Sequence, residues 1–368
     1  MTEKSCWLLS SKNTSYAGPT SYEKRKVVEG SIMSAFTLFI DDFMIREIIS
    51  CTETEDRSKL KKDTWSTSRE EIYALLGIFF AGGLIAKGEP INDLWSKVWG
   101  PSLFKQTMSR DRCKELLKFI RFDVRSSRIQ RVSSDRSALI STFWNRLIAN
   151  RITCYKPGAN ITVDEQLFPT KSRCPFTQYM ASKPNKFGIK FWLAVDAESY
   201  YLVNGFLYLG KDTQRPKNQS LTEYVVTKLA EPFLNEWRNI TCDNFFTSVK
   251  LANSLRSKKT TIVGTVNKIR REVPKAIKTM KLPLYSTRIF KNEGLTLTVY
   301  QGKPSKNVLV LSSVHKAVPI WDTPKKLPES VVYYNHTKSQ GDNIDQIARC
   351  TRRRWLLDDG PCRFSTIY

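Results

Sequence analysis

The hydrophobic period of this chain changes at Pro157-Gly158, and that change limits it to a fold in which a helical part precedes a sheet-based part. Before the switch, Ala35-Phe36, Leu38-Phe39, Phe43-Met44 and Ile48-Ile49 recur at three- to five-residue steps, as one face of a helix requires. Ser66-Thr67-Ser68 followed by Glu70-Glu71 offers side-chain partners to the free N–H groups of a helix starting before Ile72. Lys114–Phe122 and Ser141–Ala149 continue the helical pattern. The longest apolar run, Ile72–Ala86, has 15 residues and three glycines. It is short for a membrane span and reads as a buried helix.

After Gly158 the period is that of strands. Asn160–Val163 runs into Asp164; Gly188–Val195 and Tyr200–Leu209 are β-rich and joined by the polar turn Asp196–Ser199, which predicts a hairpin. Leu221–Leu229 is predicted as a helix, Ile240–Cys242 as a short strand ending at Asp243, Ser248–Arg256 as a helix and Thr260–Val266 as a buried strand. The order β-β-β-α-β-α-β describes an α/β sheet with acids at strand ends. From Arg271 onward prolines punctuate β-like pieces at Leu295–Tyr300 and Val308–Ser312. Val331–Tyr334, a polar turn and a helix beginning near Gly341-Asp342 close the pattern. The chain thus divides into a flexible polar tail over 1–30, a helical part over 31–158, the first part of the sheet core over 159–270, a β-rich insertion over 271–330 and a final segment over 331–368.

Charge narrows the partner. The 59 Lys+Arg against 35 Asp+Glu give +24, a surplus that points to a polyanion, nucleic acid being the commonest. The basic residues are spread along the chain, with the densest group at Arg352-Arg353-Arg354, and this fits a broad surface that tracks a duplex better than a basic tail. The eight cysteines form no C-x-x-C and neither histidine lies near a cysteine pair, so zinc of the finger or ribbon type finds no support. With no secretory signal visible at the start, the cysteines read as reduced thiols. His315 and His336 read as surface or hydrogen-bonded structural histidines rather than catalytic ones. Nucleotide-loop, dinucleotide and nucleophile-elbow patterns are absent.

Three acidic segments carry the chemistry: Val163-Asp164-Glu165-Gln166, Cys242-Asp243-Asn244, and Gly341-Asp342-Asn343-Ile344-Asp345. The first two place an Asp after an apolar strand, and the third has acids at i and i+3, on one face of a helical turn. Asp164 and Asp243 are 79 residues apart, and Asp243 and Asp342 are 99 apart, so only folding could unite them. United, Asp164, Asp243 and Asp342 would supply the hard oxygen ligands that two-metal phosphodiester chemistry requires. A lone Asp after a strand is more often a turn or cap residue, and Asp196, after Leu193-Ala194-Val195, is as good a candidate by pattern as Asp164.

From about Ala35 to Trp355 the chain resembles the piggyBac family of DNA transposases and the host proteins derived from them. The text that carries this is Val163-Asp164-Glu165-Gln166-Leu167, Arg173-Cys174-Pro175-Phe176, Lys183-Pro184-Asn185-Lys186-Phe187-Gly188-Ile189-Lys190, Asn239-Ile240-Thr241-Cys242-Asp243-Asn244-Phe245-Phe246-Thr247-Ser248, Thr261-Ile262-Val263-Gly264-Thr265-Val266 and Tyr333-Tyr334-Asn335-His336-Thr337-Lys338. The resemblance implies an RNase H-like catalytic core, preceded by helices of a dimerisation and DNA-binding domain and interrupted by a β insertion before the last catalytic acid. It assigns the catalytic acids to Asp164, Asp243 and Asp342, adds Asp345 as a fourth metal ligand, and leaves Asp196 without a catalytic role. It further implies Mg²⁺ or Mn²⁺ as cofactor, double-stranded DNA as partner (transposon ends and a TTAA target), a homodimer, no membrane, and a nuclear location.

Two departures from the family text set expectations. Gln340-Gly341-Asp342 replaces the usual surroundings of the third acid. After Arg354-Trp355 the chain runs Leu356-Leu357-Asp358-Asp359-Gly360-Pro361 and ends at Tyr368, which reads as a C-terminally truncated member. The acids favour a cut-and-paste transposase, and the ending favours a domesticated or decayed DNA-binding derivative that does not cut.

Overall fold

In the computed structural model the described residues are 17–339, apart from 62–63, 86–88, 171–174, 182 and 211–214. The first part is helical: α1 (Ser21–Lys26), α2 (Ile32–Phe39), α3 (Asp42–Leu60), α4 (Arg69–Ile85), α5 (Ser102–Thr107), α6 (Arg110–Phe119), α7 (Arg125–Val132) and α8 (Ser141–Cys154). Helix α1 falls within 1–30, the stretch read as a flexible polar tail, because its six residues carry no apolar period and none of them is buried. Helix α4 starts with the reciprocal cap legible in its sequence: Glu71 N–H donates to Ser68 Oγ, and Ser68 N–H donates to the Glu71 carboxylate. Ile45, Ile48, Ile72, Leu75, Ile78, Phe104 and Leu116 form the core of this part. The expectation that α4 is buried holds for one stripe only. Phe80, Leu84 and Ile85 stand 55%, 68% and 58% exposed, whereas Ile72, Leu75 and Ile78 are buried against the neighbouring helices. No described helix is long and apolar enough to cross a membrane.

Charged groups lock the helical part internally. Asp123 is buried and holds both Arg128 (2.6 Å) and Arg131 (2.7 Å). Removing a partner from a buried pair strands a charge, so Asp123→Asn is expected to cost about 3 kcal/mol, read as a lowered denaturant midpoint with unchanged slope.

The second part is a nine-stranded mixed sheet among the described residues. Its strands are β1 (Asn160–Pro169), β2 (Thr177–Tyr179), β3 (Phe187–Asp196), β4 (Leu202–Leu207), β5 (Asn239–Cys242), β6 (Thr261–Thr265), β7 (Thr287–Asn292), β8 (Leu295–Lys303) and β9 (Lys306–Ser312). The spatial order is β2-β3-β1-β5-β6-β9-β8-β7, with β4 also paired to β3. The β3–β4 hairpin predicted around Asp196–Ser199 is present. Strands β1, β5 and β6 are mutually parallel, and the connections into β5 and β6 run through α9 (Leu221–Ala230) and α10 (Val249–Ser257). A short helix, α11 (Lys275–Thr279), precedes β7. Strands β7 to β9 extend the same sheet antiparallel from β6.

Helices α9 and α10 cover one face, over Ile161, Val163, Ile240, Cys242 and Ile262. The opposite face is covered by α8, whose Trp144 indole donates to Gly205 O (3.0 Å) and packs on Phe191, and by a last helix, α12 (329–339). Three local expectations differ from what is found. Helix α12 occupies the stretch read as an apolar run and polar turn: Ser330, Val331 and Thr337 are buried against the sheet, while Asn335, His336 and Ser339 are exposed. Strand β2 went unforeseen, since three residues give no period to read. Strand β1 does not end at Val163. It continues to Pro169, because β3 offers an equally long antiparallel partner that hydrogen-bonds its polar residues.

Candidate active site

The register of β1 and β5 builds the site. Val163 pairs with Cys242, so the next residue of each chain, Asp164 and Asp243, arrives at the same level on adjacent parallel strands. Neighbouring strands lie about 4.8 Å apart, close enough for two carboxylates to share one cation. Val163 and Cys242 turn into the α9–α10 core, while Thr162 and Thr241, two residues before the acids, point to the α12 side.

Helix α12 is fastened across both strands there. Thr162 Oγ1 donates to Thr337 O (2.6 Å), and Thr241 Oγ1 donates to Thr337 Oγ1 (2.8 Å). The next residue, Lys338, donates from its ammonium to Asp164 Oδ2 in an ion pair whose side chains are 14% and 22% exposed.

Asp243 opens a tight turn into α10. Phe245 N–H donates to its Oδ1 (3.0 Å), and Thr247 Oγ1 donates to its backbone O (2.7 Å). Burial, then the charge of Asp164, push the Asp243 carboxyl above the usual range, with Lys338 opposing. Burial and the charge of Asp164 also raise Glu165, on the core face of β1. Lys190 faces it from β3 with its ammonium 3.9 Å from the Trp192 ring centre; burial lowers the Lys190 pKa, and Glu165 raises it. Stacking of Trp192 on Phe245 links this group to the turn after Asp243. Arg270 closes the rim by donating to Phe245 O (2.6 Å).

The structure brings together Asp164 and Asp243 of the expected set. Asp342 and Asp345 lie outside the described residues. Asp196, equal to Asp164 by pattern, is a structural residue: it is 1% exposed and accepts from the N–H groups of Gly158, Glu198 (2.9 Å) and Ser199 (2.8 Å) and from Ser199 Oγ (3.0 Å). Its register partner is Ile161, three residues from Asp164. His315 is a hydrogen-bonded core histidine, its Nδ1 2.6 Å from Ser312 Oγ, and burial lowers its pKa. Cys51, Cys113, Cys154 and Cys242 are buried, and burial pushes the Cys242 thiol up to about 12. Lys338 carried no expected role, and its contact spans 174 residues.

Among the described residues no group of three or more His, Cys, Asp or Glu is arranged to hold a metal ion. The donor set nevertheless fits two ligands of a hard divalent cation: both are carboxylates, burial and then their mutual repulsion raise one of them, and an ammonium already stands against the other.

The Transposase IS4 family profile matches residues 32–359. The PiggyBac transposable element-derived protein 2 of Homo sapiens is 24% identical in a 304-residue alignment that covers 78% of this chain and 49% of that protein. The chain therefore spans about half the length of this curated relative. The cryo-EM structure of a piggyBac transposase synaptic complex with hairpin DNA matches with a TM-score of 0.86 at 33% identity, over 96% of this chain and 74% of that one.

Proposed function

Because this chain belongs to the piggyBac transposases within the Transposase IS4 family, we propose that it cuts and joins DNA strands at the Asp164–Asp243 site with the help of Mg²⁺ or Mn²⁺. The observation that carries this reading is the in-register arrival of the two aspartates on adjacent parallel strands. Asp164 and Asp243 are two of the ligands, and Asp342 and Asp345 are proposed to complete the set. When bound, the divalent ions supply charge neutralisation at the phosphodiester and activation of the attacking water or 3′-hydroxyl. Strands β1 and β5 hold the carboxylates on a rigid ladder, and the turn bonded by Thr247 fixes the direction of Asp243. Lys183, Lys190, Arg270 and Lys338 supply positive charge around the acids, suited to a phosphate backbone. The proposed partner is double-stranded DNA carrying transposon ends, with a TTAA-type target, engaged by a homodimer in the nucleus.

The test uses purified chain and a labelled duplex ending in a family-type transposon terminus. Strand nicking is expected with Mg²⁺ or Mn²⁺ and is expected to vanish with chelator. Binding without nicking under every metal condition would instead identify a DNA-binding derivative. Binding itself is expected to fall on the order of a thousandfold between 50 and 200 mM salt, measured by fluorescence anisotropy. A flat salt profile would remove the electrostatic basis for DNA recognition.

A further inference from the structure

We propose that Lys338 is a tethered counter-cation: its ammonium leaves Asp164 when a divalent ion binds and then takes a phosphate of the DNA. The proposal rests on the metal-dependent reading of the site and adds a coupling between metal and DNA that the reading does not contain.

Three observations carry it. First, the Lys338 ammonium sits on the Asp164 carboxylate itself, with both side chains largely withdrawn from water. A cation approaching Asp164 must compete with that contact. Second, the backbone that bears Lys338 is fixed, because Thr337 beside it is buried and bonded to both β1 and β5. The displaced charge therefore stays within one side-chain length of the acids. Third, the Lys side chain is a point charge on a flexible four-carbon stem, able to turn away while its helix stays in place.

The destination follows from charge. A displaced ammonium beside a newly bound divalent ion is repelled by it, and a nearby phosphate is the anion that the substrate brings. Metal thus creates a phosphate contact, and by linkage DNA favours metal by the same factor. Lys338 is in this sense a positioning residue: it keeps the acid pair balanced before metal arrives and registers the strand afterwards.

The first measurement is Mn²⁺ binding to the full chain without DNA, read from the EPR signal of free Mn²⁺. K338M is expected to bind on the order of tenfold tighter than wild type, since the competing ammonium is gone. K338R is expected to stay near wild type, and D164N to lose the site. The second measurement is the salt dependence of binding to a duplex that lacks a transposon end, so that no strand is cut, with and without Ca²⁺ as a hard probe ion. Wild type and K338R are expected to gain about 0.9 in the slope of log affinity against log salt when Ca²⁺ is present, and K338M to gain nothing. Circular dichroism of each variant checks folding, and K338R keeps the test open should K338M fail to fold. Equal Mn²⁺ affinity in wild type and K338M would overturn the competition. A wild-type slope indifferent to Ca²⁺ would overturn the transfer to phosphate. Absence of Mn²⁺ binding in every variant would overturn the metal reading itself, a distinct outcome.

Discussion

Replacing Asp243 with Asn is expected to abolish metal-dependent nicking, by at least about a thousandfold, while leaving DNA affinity measured without divalent ions within about twofold of wild type. The amide matches the carboxylate in shape, so the acceptor for Phe245 N–H survives and the turn into α10 keeps its form. What disappears is a negative oxygen, proposed as a metal ligand, in a pair placed by strand register. The variant is also expected to melt no lower than wild type. The folded-state pKa of Asp243 is raised, by burial first and by Asp164 second. A raised carboxyl binds its proton more tightly in the folded chain than in the unfolded one. Its ionised form therefore opposes folding at neutral pH, and that opposition fades as pH falls through the raised value. Asn removes the opposition at every pH. A matched loss of activity and stability would mean that Asp243 is a structural acid and would end the catalytic assignment. Asp164→Asn should lose nicking equally, but it also leaves the Lys338 ammonium without its carboxylate, so its melting temperature is expected to fall.

Gly264→Ala is the second large effect, and it acts without touching either acid. Gly264 lies on β6 opposite Cys242. A Cβ there would stand 2.1 Å from Thr247 Oγ1 and 2.5 Å from Cys242 O. Thr247 is fully buried and holds the backbone oxygens of both Cys242 and Asp243. The added methyl must displace the residue that aims Asp243. Overpacking together with a lost buried hydrogen bond costs about 3 kcal/mol, or roughly 5 °C in melting temperature. Metal affinity should fall further than folding alone accounts for. Gly77→Ala is the control: it sits inside α4 with nothing within 4 Å of the new Cβ, and is expected to be neutral or stabilising by up to about 1 kcal/mol. Should both substitutions behave alike, the close approach at Gly264 would not be what orients the turn.

Helices α2 to α4, α6 and α8 to α10 and the parallel strands were legible because each carries its period in a few consecutive residues. Ser68 and Glu71 announced the start of α4, and Ile240–Cys242 announced β5. Legibility failed where the deciding partner was distant. Strand β1 runs past Asp164 because β3 is there to receive it, and no residue of β1 records that. Asp164 and Asp196 each follow a β-rich run ending in valine, and local text does not part them. Packing parts them at once. Asp196 closes a turn with four hydrogen bonds, whereas Asp164 faces another carboxylate and a lysine. Lys338 could not be read at all, since its partner lies 174 residues away.

By itself, then, the sequence determined the switch from helices to a sheet, the basic surplus and the acidic type of the candidate site's residues, because periodicity, charge and side-chain identity are local properties. Which acids meet, and which cation stands against them, was decided by the tertiary structure alone. Strand register sets both, and register is chosen by the burial of whole faces against helices far along the chain.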